Sequence, residues 1–210
     1  MFADRPVATW AAHSDGSRFF DALKPVRTGG VAYSAKFVVP PLLALYTIGL
    51  ASNRSDVREA VTGCAASYFS ESMMRQATYR LVARQRPDTS PDDPQRWDVP
   101  GDRKNWQRQS FPAGHFANAM ACATYWNTRY HLGYGEPALY ALAAFVGVGR
   151  LADGGHWISD SVLGGIIGYA TGREIARRSR VRAERRSTSG VPQFVRAPRF
   201  EPRVTFVIRF

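Results

Sequence analysis

The sequence predicts an all-α helical bundle of about six helices, with its reactive side chains gathered at one end. Three observations carry that expectation. Apolar residues recur at helical spacing through most of 36–178, while strand-like character is confined to VTFVIRF at 204–210. Breaks rich in Pro, Gly and Asp separate the helical stretches. Each conspicuous group of Arg, His and Asp falls where a helix is expected to begin or end.

The elements follow in order. KFVVPPLLALYTIGL at 36–50 is the most apolar stretch, interrupted by Pro40 and Pro41. Residues 55–86 read as one long helix. Asp56 and Glu59 form a capping-box start, and Val57, Val61, Cys64, Ala65, Tyr68 and Ser72 recur at helical spacing. Arg80, Arg84 and Arg86 at its end suit the negative pole of the helix. A polar loop rich in Pro and Asp spans 87–109. A helix opens near Pro112, with Ser110 as its cap, and runs to about 130. Further helices are expected over 136–148 and 158–178.

At 210 residues the chain has length for one domain with a sizeable core. We expect that domain to end at 176. Residues 177–210 hold ten Arg and two Glu, so this tail accounts for +8 of the formal +11. A basic tail of this kind suits anionic lipid headgroups; no nucleic-acid fold signature accompanies it, so no nucleic acid is expected as a partner. Cys64 and Cys122 sit in apolar helical surroundings and read as two buried thiols, outside any metal-spaced cluster. MFADRPVATW has neither a basic nor an apolar leader region, so the chain is expected either to stay inside or to start further upstream.

A membrane span needs about 20 apolar residues, and the candidate helices here are shorter or interrupted, with a mean hydropathy of −0.28. The last helix nevertheless runs from Asp160 to Arg173, Arg177 and Arg178, a positive-inside arrangement. Membrane association with the reactive end on the periplasmic side is therefore the expectation, and a soluble periplasmic protein is the alternative.

Three short clusters carry the chemistry. RLVARQRP ends in Arg86-Pro87. QSFPAGHFANA places Gly114 and His115 at a helix start, where backbone N–H groups form an anion cradle. GRLADGGHWISD places His156 and Asp160 four apart, on one helical face. In the same run the Gly154-Gly155 bend can return Arg150 over the histidine.

In this order and spacing the clusters resemble the type 2 phosphatidic acid phosphatase / vanadium haloperoxidase superfamily. Its pattern reads K-x6-R-P, then P-S-G-H, then S-R-x5-H-x3-D, and the matches are Arg86-Pro87, Pro112-Gly114-His115 and Arg150-His156-Asp160. The opening DRPVATWAAH also resembles the N-terminal helix of bacterial members. Three positions depart: Tyr79 stands where the family has Lys, Ala113 replaces the Ser of P-S-G-H, and Gly149 replaces the Ser before the second Arg. Arg80 and Arg84 are the candidates to supply the missing cation.

The resemblance implies a hydrolase of phosphate monoesters or diphosphates, with a phosphorylated lipid as its substrate and partner. His156 would be the nucleophile and pass through a phosphohistidine. Asp160 would accept the proton of its other ring nitrogen, and His115 would serve as acid and then base. Arg86, Arg150 and the Gly114 backbone would hold the phosphate, with no metal or other cofactor. A vanadium haloperoxidase, a soluble acid phosphatase and a non-catalytic anion-binding relative are the alternatives.

Overall fold

The computed structural model describes residues 2–13, 35–98 and 105–188. Among them are six helices: α1 (Asp4–His13), α2 (Ala35–Ala51), α3 (Ser55–Leu81), α4 (Gly114–Tyr130), α5 (Gly135–Ala152) and α6 (Ile158–Thr188). The fold is the expected all-α bundle. A two-stranded antiparallel ribbon, β1 (Ala83–Arg84) with β2 (Trp97–Asp98), and a 3-10 turn (Trp106–Arg108) lie between α3 and α4. The strand-like run at 204–210 lies outside the described residues.

α4 is the central element, packed against α6, α3 and α5. It runs antiparallel to α3: Arg129 pairs with Glu59 at 2.8 Å at one end, and Arg75 lies against Gly114 at the other. It runs parallel to α6, and here the backbones nearly touch. A methyl group at Gly164 would come within 2.7 Å of the Ala113 carbonyl oxygen, and one at Gly168 within 2.9 Å of the Ala117 carbonyl carbon. Ala113, Ala117 and Ala121 are fully buried against this glycine stripe. Small residues every four positions allow such approach, and it brings the starts of both helices to the same end of the bundle.

Several local expectations are corrected by tertiary packing. The long helix ends at Leu81 rather than 86, because Val82 turns extended (φ −136°, ψ 137°) and Arg84 joins the ribbon. Asp56 and Glu59 form no capping box: Arg54 occupies the cap position, and its guanidinium holds Asp56 at 2.6 and 2.9 Å. Ser110 does not cap α4, which has Ala113 at its cap with no side-chain bond. α5 continues through Arg150 to Ala152. α6 continues to Thr188, past the expected helix end at 178, and Ser179 donates to Glu59 at 2.9 Å. Glu174 pairs with Arg177 and Arg178 along the exposed side of α6 itself.

Cys64 and Cys122 are not free thiols. They face each other across α3 and α4 with Cα atoms 4.6 Å apart and form a disulfide. Both sit at core positions, and only the pairing of antiparallel helices puts them level.

The outer faces are apolar to an unusual degree. Leu43, Ile48 and Leu50 on α2, Phe69 and Met73 on α3, Leu142 and Phe145 on α5, and Val162 and Ile166 on α6 are exposed. Exposed apolar side chains gathered in patches mark protein or membrane contact surfaces. Among the described residues no helix is long and apolar enough to cross a membrane.

The disulfide closes a separation of 58 residues, a loop whose entropy in the unfolded chain corresponds to about 4 kcal/mol. Cys64→Ala/Cys122→Ala is expected to lower the unfolding free energy by an amount of that order. Denaturant titration with and without reductant measures it, and the variant itself should show no response to reductant.

Candidate active site

The reactive end is organised by one buried cation. Arg84 is 1% exposed, and its guanidinium is stacked between Trp97 (5.1 Å) and Trp157 (5.2 Å). Nη2 donates to Asp4 at 2.8 Å, and Nη1 donates to Asp160 at 2.5 Å and to Ser159 Oγ at 2.8 Å. Nε donates to the Pro94 carbonyl at 2.9 Å. Asp4 and Asp160 are both 0% exposed. Burial raises the Asp4 pKa, but the bonds from Arg84 and Ser159 prevail and hold it below the usual range. At Asp160 burial wins, and the carboxyl is pushed up despite Arg84. Arg84 is therefore neither a helix-end cation nor the replacement for the family lysine: its charge is consumed by two carboxylates.

This cluster positions the nucleophile candidate indirectly. Asp160 accepts from Ser110 Oγ in a short hydrogen bond and from the Trp157 amide at 3.2 Å. The Ser110 carbonyl in turn lies 2.6 Å from His156 Nδ1. A carbonyl only accepts, so Nδ1 carries the proton and Nε2 keeps its lone pair. The expected direct bond from Asp160 to His156 is thus replaced by a relay through Ser110. Both Asp160 oxygens are already occupied by Arg84, Ser110 and Trp157.

The cations around the histidines keep donors that no carboxylate meets. His156 is 2% exposed. Burial, then the charges of Arg86 and Arg150, hold it well below the usual histidine range. His115, at the start of α4, is pushed down to about 4 by burial and then by Arg150, Arg75 and Arg86. Arg86 is itself lowered by burial and by Arg150, which means that the two guanidinium groups feel each other. Arg86 rests over Trp106 at 5.0 Å and donates to the Gln109 carbonyl at 3.3 Å. Arg150 follows on α5, its Nη1 bound by Asp153. Gly154, at φ +67°, turns the chain between Arg150 and His156, and its carbonyl accepts from the Asp88 amide at 3.1 Å. The Nε atoms of Arg75, Arg86 and Arg150 are buried without a hydrogen-bond partner. Gly114 and Ala113 mark the start of α4, and the Ala113 amide donates to the Asp160 carbonyl at 3.1 Å. Two parallel helices thus begin at this end, and helix starts favour anions.

The arrangement unites His115, His156, Arg86, Arg150 and Gly114, with Asp160 one residue further back. Sequence reasoning missed Arg75, Asp4 and the Ser110 carbonyl. The first carried a signal, since Arg75 and Tyr79 are one helical turn apart. The other two carried none, because backbone carbonyls and residues 155 positions from their partners leave no local pattern.

The family model of the PAP2 superfamily matches residues 60–183. The chain belongs to that superfamily. Among known proteins, this PAP2 chain is 39% identical over 69 residues to a lipid A 1-phosphatase of Porphyromonas gingivalis. That match covers 30% of this chain and 15% of the relative's length. Two solved structures are alike in fold. The crystal structure of Aquifex aeolicus LpxE has a TM-score of 0.53 and 20% identity, over 72% of this chain and 83% of the other. A transmembrane PAP2-type phosphatidylglycerolphosphate phosphatase from Bacillus subtilis has a TM-score of 0.54 and 16% identity, over 92% and 88% of the two chains.

Two outcomes are expected of the PAP2 site. Arg84→Gln leaves two buried carboxylates without their cation and should cost about 3–5 kcal/mol of stability, read by thermal or chemical unfolding. Burial is the larger cause of the low His115 pKa, and a bound dianion should cancel the part that comes from Arg150, Arg75 and Arg86, raising the pKa above about 4. Sulfate carries no proton of its own near pH 5.5, so its binding there should draw protons onto the protein. Titration calorimetry in buffers of different ionisation enthalpy reads that uptake, and none would place His115 outside the arginines' reach.

Proposed function

We propose that the chain is a phosphatase that removes phosphate from a phosphorylated lipid, through a phosphohistidine on His156. One observation carries the reading: a buried imidazole whose Nδ1 is pinned to the Ser110 carbonyl at 2.6 Å, leaving Nε2 unprotonated beside Arg86 and Arg150. A neutral imidazole with one free nitrogen is a competent nucleophile. A phosphate ester repels nucleophiles, and the arginines offset that charge and hold its oxygens by paired contacts.

The reaction follows from these positions. Nε2 of His156 attacks phosphorus as the bond to the leaving oxygen breaks. The leaving oxygen takes a proton from His115, whose pKa rises as the substrate's charge enters the site. The phosphorylated imidazole is cationic, and its Nδ1–H stays bonded to the Ser110 carbonyl. Water then attacks phosphorus, gives its proton to His115 and releases phosphate and neutral His156. The arginines and the start of α4 with Gly114 stabilise the charge that develops in both steps. They supply the positive charge that a divalent metal provides elsewhere, so the reading expects turnover without added metal.

The lipid character of the substrate is supported by the named activities of the relatives and by the exposed apolar faces of α2, α3, α5 and α6. The same faces support membrane association, and the basic end of α6, opposite the site, supports placing the site on the periplasmic side. The disulfide is consistent with an oxidising compartment. The Arg-rich run beyond Arg180 is the proposed contact for anionic headgroups.

His156→Ala is expected to abolish turnover. His115→Ala should still form phosphoenzyme slowly from p-nitrophenyl phosphate, because that leaving group needs no acid. Phosphate release from lipid A, phosphatidylglycerophosphate, phosphatidate, an isoprenyl diphosphate and p-nitrophenyl phosphate, with and without EDTA, measures turnover and ranks the substrates, while p-nitrophenolate release reads phosphoenzyme formation. Full activity of His156→Ala would overturn the assignment. Bromide oxidation with vanadate and peroxide in place of phosphate release would favour the haloperoxidase.

A further inference from the structure

We propose that Arg75 is the third phosphate-holding cation of this site, standing in from α3 for the lysine that the family pattern places at Tyr79. The inference rests on the phosphatase reading and adds a residue outside the three motifs.

Tyr79 cannot serve as that cation. It is 4% exposed, and its hydroxyl donates to the Pro112 carbonyl at 3.0 Å, so it acts as a strut beneath the start of α4. Arg80 is exposed, and Arg84 is neutralised by Asp4 and Asp160. Arg75 lies one turn before Tyr79 on the same face of α3, with its guanidinium 5.5 Å from the tyrosine ring centre. From there it reaches across to the start of α4. A side-chain carbon added at Gly114 would lie 2.5 Å from Arg75 Cδ and 2.7 Å from its Cζ. Gly114 is therefore the floor on which the guanidinium rests, one residue before His115.

The electrostatics place the same charge at the site. Arg75 acts on His115 together with Arg150 and Arg86. Its Nε is buried without a hydrogen-bond partner, as are those of Arg86 and Arg150. Three guanidinium groups that act on one imidazole, each with a buried Nε donor unused, fit the several oxygens of a phosphoryl group.

The rival account is that Arg75 only neutralises Glu71, which is 0% exposed. The geometry favours the phosphate role. Arg75 Nε stands 3.5 Å from Glu71 Oε1 without donating to it, and Nη2 donates instead to Ser72 Oγ at 3.3 Å. Burial also pushes the Glu71 pKa up to about 7, so its charge is incomplete at neutral pH. Glu71 and Ser72 act as a rest that aims Arg75, with its charge left for the ligand.

The test compares Arg75→Gln, Arg75→Gln/Glu71→Gln, Arg75→Gln/Tyr79→Lys and Arg80→Gln with the unaltered full chain. Orthovanadate binding, kcat/KM on p-nitrophenyl phosphate and the His115 pKa by NMR are measured for each. Arg75→Gln is expected to weaken vanadate binding at least about tenfold and kcat/KM by about 100-fold, the usual loss for one charge-stabilising donor. It should also raise the His115 pKa, which a merely structural role would not do. Arg80→Gln should behave as the unaltered chain, and Tyr79→Lys should recover part of the loss. Unchanged vanadate affinity in a folded Arg75→Gln protein overturns the proposal. If Arg75→Gln misfolds, the Glu71→Gln double variant carries no stranded carboxylate and is judged by the same affinity. Misfolding of both assigns Arg75 to holding α3 against α4 and also overturns the proposal. If the unaltered chain binds vanadate but hydrolyses no ester, the phosphatase reading fails while the vanadate arm still decides Arg75. If it binds no vanadate, both fail.

Discussion

The structure depends on the burial of Arg84. A guanidinium removed from water is stable only if its donors are met, and here two carboxylates, a hydroxyl and a carbonyl meet them. Those partners come from α1, from the loop that joins the two strands of the ribbon and from the start of α6. One cation thus ties three distant segments together at the end of the bundle. The two tryptophans that sandwich it exclude water and strengthen each bond. The same carboxylate that binds Arg84 also binds Ser110, and Ser110 presents its carbonyl to His156. The orientation of the nucleophile candidate is therefore inherited from a structural ion pair.

A second constraint is the close approach of α4 and α6. Side chains at Gly164 and Gly168 would collide with the α4 backbone. Without them the two parallel helices start side by side, and His115, Ala113 and Asp160 come together at one level. The packing explains why small residues follow the last motif: they set the distance between the helix that carries His115 and the helix that follows His156.

The balance of charge at the site is the reverse of that around Arg84. Arg75, Arg86 and Arg150 have Glu71, Asp88 and Asp153 as carboxylate neighbours, yet the Nε of each keeps an unused donor. Burial together with like charge depresses both histidines. Such a site is strained electrostatically when empty and relaxed when an anion enters, which makes anion binding and protonation of His115 one linked event.

The sequence by itself determined the all-α class, the helices and their rough extents, and the family, because helical periodicity and ordered motifs are written within short stretches. It also placed His115, Arg150 and His156 at helix ends, whereas Arg86, expected at the end of a helix over 55–86, lies beyond the first strand of the ribbon. Tertiary structure decided what those residues touch. Arg84 reads as a helix-end cation until β1 draws it between Trp97 and Trp157. Asp160, four residues from His156, shares its helical face in any local reading. Arg84, 76 residues away in sequence, nevertheless claims one of its oxygens. Cys64 and Cys122 read as thiols until two antiparallel helices set them level. Arg75 is invisible to a motif that counts from the next turn. In each case the deciding interaction joins residues far apart in sequence, and its energy depends on burial, which no local pattern encodes.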